Sequence, residues 1–182
     1  MLDLLWLIPA LPLLGFAVLA LFGRRMPRAA AGTIGVGSVG VSALLALIVS
    51  VVFLSAPPEG DAFTQVLWNW FNVDSLTPEI AFRLDTLSLL MMVVVTCVGF
   101  FIHLYSVEFM KDDEGFSRFF AYMNLFVCSM LVLVLADNLV LLYLGWEGVG
   151  LCSYLLIGFW YLEPENGAAA RKAFLVTRIG DA

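Results

Sequence analysis

Residues 138–162 read NLVLLYLGWEGVGLCSYLLIGFWYL, and this stretch decides the fold. It carries one charge, Glu147. At 1.5 Å per residue, about 20 helical residues cross the roughly 30 Å of hydrocarbon in a bilayer. A helix on a soluble core is apolar on one face only, with a 3.6-residue period. This one is apolar all round, so its surroundings must be apolar too. Outward from it, residues 4–23, 29–58, 86–107 and 119–136 contain no Asp, Glu, Lys or Arg at all.

The composition agrees. Of 182 residues, 62% are apolar and 13% charged, against roughly 25% charged in a soluble domain. Mean hydropathy is +0.99. An ordinary soluble enzyme of this make-up would lack polar side chains to cover its outside, and a disordered tail is excluded for the opposite reason. The net charge of −6 and the lack of any larger basic cluster than Arg24, Arg25 and Arg28 exclude nucleic-acid binding. What remains is an all-α membrane protein, with the lipid bilayer as its first partner.

The spans are expected at about 4–23, within 29–54, at 86–107, at 119–136 and at 139–161. That gives five complete transmembrane helices. The start of a sixth is expected near Ala168, running into Ala182 after too few residues to span, as in a chain incomplete at its C-terminus. Pro9 and Pro12 fall near the start of the first span, where missing N–H groups are tolerated. No basic residue precedes that run, so it reads as an uncleaved span and not a signal peptide. The connection 55–85 contains two β-rich stretches, Thr64–Val73 and Ile80–Leu84, broken by Asp74, Ser75 and Pro78. They predict a short β-hairpin at the membrane surface, with Trp68 and Trp70 in the aromatic belt.

Orientation follows from the cations. Arg24, Arg25, Arg28, Lys111, Arg118, Arg171 and Lys172 fall in or beside the odd-numbered connections, and Arg83 alone on the other side. The positive-inside rule puts the N-terminus outside and the first loop in the cytoplasm.

Several residues could carry chemistry. Gly35-Val36-Gly37-Ser38-Val39-Gly40 matches the dinucleotide pattern GxGxxG, but no strand precedes it and it lies mid-span, so it is not a phosphate cradle. Ala31/Gly35 and Thr33/Gly37 instead predict close helix packing. Cys97, Cys128 and Cys152 lie within spans and form no metal-ligand pattern, so they are read as small packing residues and no metal or cofactor site is expected in this chain. Asp112–Glu114 is read as a solvated loop, and Asp137 as the cap of the fifth helix.

Glu147 is the informative residue. A glutamate near mid-membrane costs at least about 2.5 kcal/mol on insertion scales, and intramembrane carboxylates mark proton relays and ion pathways. It would hold or release a proton according to a nearby cation; the alternative is a packing pin satisfied by a lysine or the backbone. Gly145, Gly148, Gly150, Cys152 and Ser153 leave room around it for water and a close helix. No span contains a lysine, so its partner is expected on other sequence or another chain. Arg178 and Asp181, three apart on one helix face, are either a local ion pair or a charge pair that biases Glu147. Lys172 is read as snorkelling to the surface. His103 is an interfacial or hydrogen-bonded residue, or speculatively a relay.

These residues carry a resemblance. FRLDTLSLLM (82–91), EGFSRFFAYMNLF (114–126), LVLADNLVLLYLGWEGVGLCSYLLIGFW (133–160) and NGAAARKAFLVTRIGDA (166–182) resemble the large antiporter-like membrane subunit of respiratory NADH–quinone oxidoreductase (complex I), subunit L in bacteria and chain 5 in mitochondria. Subunits of multisubunit cation/proton antiporters share much of the pattern. The resemblance implies a proton pathway, with Glu147 at the position of a fifth-helix glutamate that pairs with a lysine on the seventh helix. Arg178 and Asp181 match sixth-helix charges that couple neighbouring subunits. Residues 1–62 would be an N-terminal helix pair, and 63–182 the N-terminal part of the antiporter-like domain. The family's seventh-helix lysine, later central lysines and lateral helix have no counterpart here.

The resemblance further implies a bacterial inner membrane location, or a mitochondrial one if the chain is organellar. Other complex I membrane subunits would be partners, and NADH, flavin, iron–sulfur clusters and quinone would be held by partner subunits. A cation/proton antiporter subunit, or a truncated module that only packs or assembles, are the rival expectations.

Overall fold

The computed structural model describes residues 2–72 and 77–181; Asp74 and Ser75, assigned above to the turn of the hairpin, lie outside the described residues. The described residues contain six α-helices and one two-stranded antiparallel sheet: α1 Leu7–Phe22, α2 Arg28–Ser55, β1 Phe63–Asn69, β2 Glu79–Leu84, α3 Thr86–Phe109, α4 Phe116–Leu135, α5 Leu139–Ile157 and α6 Pro164–Asp181. Among the described residues, five helical segments are long and apolar enough to cross a membrane: Leu2–Arg25, Arg28–Ser55, Thr86–Phe109, Phe116–Leu135 and Leu139–Ile157. Leu21, Leu54, Leu87, Phe101 and Tyr105 are each more than half exposed, as lipid-facing side chains are.

Helix α4 sits at the centre and touches α1, α2, α3 and α5, while α6 packs against α5. A polar node joins three of these helices. Asn124 on α4 donates to Gly35 O (3.2 Å) and Phe120 O (2.9 Å), and its Oδ1 accepts from Ser38 on α2 at 2.6 Å. A Cβ at Gly15 on α1 would strike Ser38 and Asn124. With little hydrophobic gain between helices in lipid, such small-residue contacts and interhelical hydrogen bonds hold a bundle together.

The predicted Ala31/Gly35 face is confirmed, since Ala31 is fully buried and Gly35 lies against the Phe120 ring. The Thr33/Gly37 face is not. A Cβ at Gly37 would meet nothing within 4 Å, and Thr33 bonds its own helix at Ala29 O, 2.9 Å away. One row of small residues therefore packs while the adjacent row faces outward.

Pro12 is not at the tolerant start of α1 but inside it. Its missing N–H would have paired with the carbonyl of Ile8, four residues back. Ser42 of α2 supplies that hydrogen bond instead, donating to Ile8 O at 2.7 Å. Ser42→Ala should leave this buried carbonyl bare and cost about 1–3 kcal/mol, read as a lower unfolding temperature of the detergent-solubilised full-length protein; an unchanged temperature would refute the assignment.

The hairpin ties one end of the bundle together. Gln65 of β1 accepts from Trp6 N (3.1 Å) and donates to Asp3 O (2.6 Å). Beyond β2, Asp137 N donates to Ala81 O at 3.1 Å, and Asn138 Nδ2 to Glu79 O at 2.7 Å. Trp68 and Trp70 are exposed on this hairpin, where an aromatic belt would place them.

Asp85 caps α3 in a reciprocal box with Ser88. The Ser88 N–H, with smaller help from the Ser88 hydroxyl, holds the Asp85 carboxyl below its usual range. The cap of α5 is Asn138, whose Oδ1 accepts from Leu141 N at 3.0 Å. The expectation of Asp137 is corrected by one residue, because Asp137 faces β2 and pairs with Arg83 at 4.0 Å. Helix α6 starts at Pro164, four residues ahead of the expected Ala168; a proline suits a first helical position, where its N–H would be unpaired anyway.

The other end gathers the cations of the first and third connections, with Arg28 Nη1 donating to Lys111 O. Ser117 Oγ donates to Gly23 O at 2.9 Å, and Arg118, between the rings of Phe159 and Tyr161, reaches Phe159 O at 3.3 Å.

Candidate functional site

Glu147 is the ninth of the 19 residues of α5, roughly 12 Å from its start. Both neighbouring helices come close here because α5 carries glycines. A Cβ at Gly145 would lie 2.6 Å from the backbone nitrogen of Leu133 on α4, and one at Gly148 would lie 2.7 Å from Ser129 Oγ. Gly150 faces the other way, under the guanidinium of Arg178 on α6. The glycines thus serve two helices: two admit α4, and the third admits a cation. Nothing in the spacing distinguishes Gly150 from the others.

Arg178 forms an ion pair with Glu147, Nη1 to Oε2. Its Nη2 donates to Glu147 O at 3.3 Å. The two side chains are 21% and 26% exposed. The guanidinium also rests 4.7 Å over the ring of Phe174, which contacts Tyr154 of α5 at 5.4 Å. Glu147 Oε1 is buried and accepts no hydrogen bond among the described residues. The chain thus places a cation beside Glu147 itself, an arginine 31 residues later, as in the expectation of a charge that biases Glu147.

Asp181 is one turn beyond Arg178, but no ion pair between them is seen among the described residues; its Oδ2 is buried and without a hydrogen bond. Of the two readings of Arg178, the local pair is displaced by the contact with Glu147. His103 is fully buried, six residues before the end of α3, as a hydrogen-bonded residue. Its Nδ1 lies 2.7 Å from Gly99 O, and its ring lies beside Phe120. These contacts do not join it to Glu147. Cys128 and Cys152 are buried and Cys97 half-buried, all three as free thiols.

Five candidate spans, with a carboxylate–guanidinium pair at the middle of the fifth helix, define a polytopic helical membrane protein with an ionisable pair. Comparison with known proteins narrows the class. Residues 70–120 match the N-terminal model of NADH-ubiquinone oxidoreductase (complex I) chain 5, and residues 136–182 match the transmembrane model of NADH:quinone oxidoreductase and Mrp antiporters. The chain is 53% identical to NADH-quinone oxidoreductase subunit L of Escherichia coli over 98% of its own length and 29% of that protein. It is 54% identical to subunit L of Pseudomonas aeruginosa over 93% of its length and 28% of that protein.

Among solved structures, an Mrp complex from Dietzia superposes with a TM-score of 0.77 at 29% identity, covering 97% of this chain and 18% of that one. The chain belongs to the family of antiporter-like membrane subunits that includes subunit L of NADH-quinone oxidoreductase. It spans less than a third of the length of the curated relatives it matches.

Proposed function

We propose that this chain is the N-terminal part of a membrane-arm subunit of a proton-translocating NADH–quinone oxidoreductase, and that Glu147 takes up and releases a proton on its pathway. The observation that carries this reading is the Glu147–Arg178 pair at mid-depth, with Oε1 left unbonded. A proton arriving at Oε1 neutralises the carboxylate and frees Arg178; its departure restores the pair. Arg178 and Asp181 set the local field, and the buried free oxygen of Asp181 suits a donor from a neighbouring subunit. His103 stands apart and has at most a separate role.

In this reading the electron transfer, with its NADH, flavin, iron–sulfur and quinone chemistry, belongs to partner subunits, and this chain adds proton movement to that oxidoreductase. Residues 1–62 are a helix pair ahead of the antiporter-like domain that begins in 63–182. The cation-rich end faces the cytoplasm and the N-terminus the outside of a bacterial inner membrane, or the corresponding faces of the mitochondrial one.

The test is Glu147→Gln in the full-length subunit within the assembled complex. NADH-driven proton uptake by inverted membrane vesicles should fall well below wild type per NADH oxidised; undiminished pumping at a normal oxidation rate would overturn the role. The Mrp likeness favours a second reading, a cation/proton antiporter subunit. It would show as proton movement driven by a sodium gradient without NADH.

A further inference from the structure

Between α2 and α3, at the cation-rich end, lies a cavity of about 570 Å³ that no helix among the described residues fills. Its floor on α2 is formed by the buried Gly32 and the outward Thr33 and Gly37, and its opposite wall includes Leu104 on α3. Thr33 turns its hydroxyl to Ala29 O and so leaves a methyl in the floor. The two charged residues lining the cavity are both cations, Arg28 and Lys111, at the same end. Arg28 Nη1 donates to Lys111 O, which draws the two together at the mouth, while the Lys111 ammonium is held by Glu108 beside it.

We propose that this groove is a site for an anionic phospholipid, with its phosphate at Arg28 and Lys111 and one acyl chain laid along the Gly32–Gly37 row. Length separates a lipid from a partner helix. From Arg28 to Gly37 is about 14 Å of helix, close to the roughly 15 Å of one leaflet, whereas a transmembrane neighbour would need a contact about twice as long. Charge separates an anionic from a zwitterionic lipid, because a choline group brings a third cation to a mouth lined by Arg28 and Lys111, where Glu108 offsets Lys111 alone. The site lies on α2 and α3, away from the α5–α6 pair, so it is independent of the proton reading.

The test uses the full-length subunit in its assembled complex, reconstituted in bilayers of equal parts phosphatidylglycerol and phosphatidylcholine. A trace of either lipid carries a photoreactive group in its tail, and the labelled peptides are mapped by mass spectrometry. Labelling should fall on 28–37 and 104–111, with the glycerol lipid favoured about fivefold per basic side chain engaged. Arg28→Gln should bring the preference close to equality. Gly37→Leu should abolish labelling here while NADH oxidation stays normal, since its side chain enters the cavity and meets no protein atom at the Cβ. Equal labelling by the two lipids, no labelling, or labelling undiminished in Gly37→Leu would overturn the proposal, as would a protein cross-link from a neighbouring subunit in its place.

Discussion

Arg178→Leu should lower the unfolding free energy of the full-length subunit by about 1–3 kcal/mol, less than the roughly 3–5 kcal/mol for removing one partner of a fully buried pair, because both side chains keep some exposure. The loss is not that of the ion pair itself. It is the cost of Glu147 held as a bare carboxylate where the surroundings are α4, α5 and hydrocarbon. One consequence distinguishes this from loss of packing over Phe174. Adding Glu147→Gln to Arg178→Leu should recover part of the loss, so that the double variant is more stable than Arg178→Leu alone. Thermal unfolding in detergent measures it. A double variant as unstable as the sum of the two single ones would refute the pairing.

Gly145→Ala should be nearly as damaging, for a purely steric reason. The added methyl would lie 2.6 Å from Leu133 N and 2.7 Å from Leu133 Cα, and backbone cannot turn aside as a side-chain tip can. The α4–α5 contact must open, at about 1–3 kcal/mol for overpacking. Because Glu147 lies half a turn further along α5, its approach to Arg178 shifts as well, and NADH-driven proton uptake should fall together with the unfolding temperature. Gly167→Ala on α6 is the control, since its Cβ meets nothing within 4 Å. It should be neutral or slightly stabilising. Equal behaviour of the two variants would show that Gly145 is not a contact point.

The spans were legible because the forces that make them are one-dimensional. Charge-free length alone decides which residues can sit in hydrocarbon, and every one of the five expected runs is a helix within a few residues. The hairpin was legible for a similar reason, from local β-branched and aromatic content bounded by turn residues. What was not legible depended on distance across the bundle. Glu147 stands out in any scan of charge, but its partner is an arginine on another helix, and sequence spacing pairs Arg178 more naturally with Asp181.

Small-residue rows show the same limit. Ala31/Gly35 and Thr33/Gly37 are alike in spacing, yet one row meets Phe120 and the other borders a cavity. The cap of α5 fell on Asn138 and not Asp137 because β2 claims Asp137 through Ala81 and Arg83, a contact no local rule contains.

The hydrogen bond from Ser42 to Ile8 has a consequence for how the chain is made. When α1 leaves the ribosome, Pro12 has already removed the partner of the Ile8 carbonyl, and the replacement donor is 34 residues further on. At about 5–20 residues per second, synthesis needs a few seconds to reach it. During that interval the isolated first helix would carry a bare carbonyl into hydrocarbon. Helices α1 and α2 are thus suited to leave the insertion channel as a hairpin, the second sealing the first as both meet lipid.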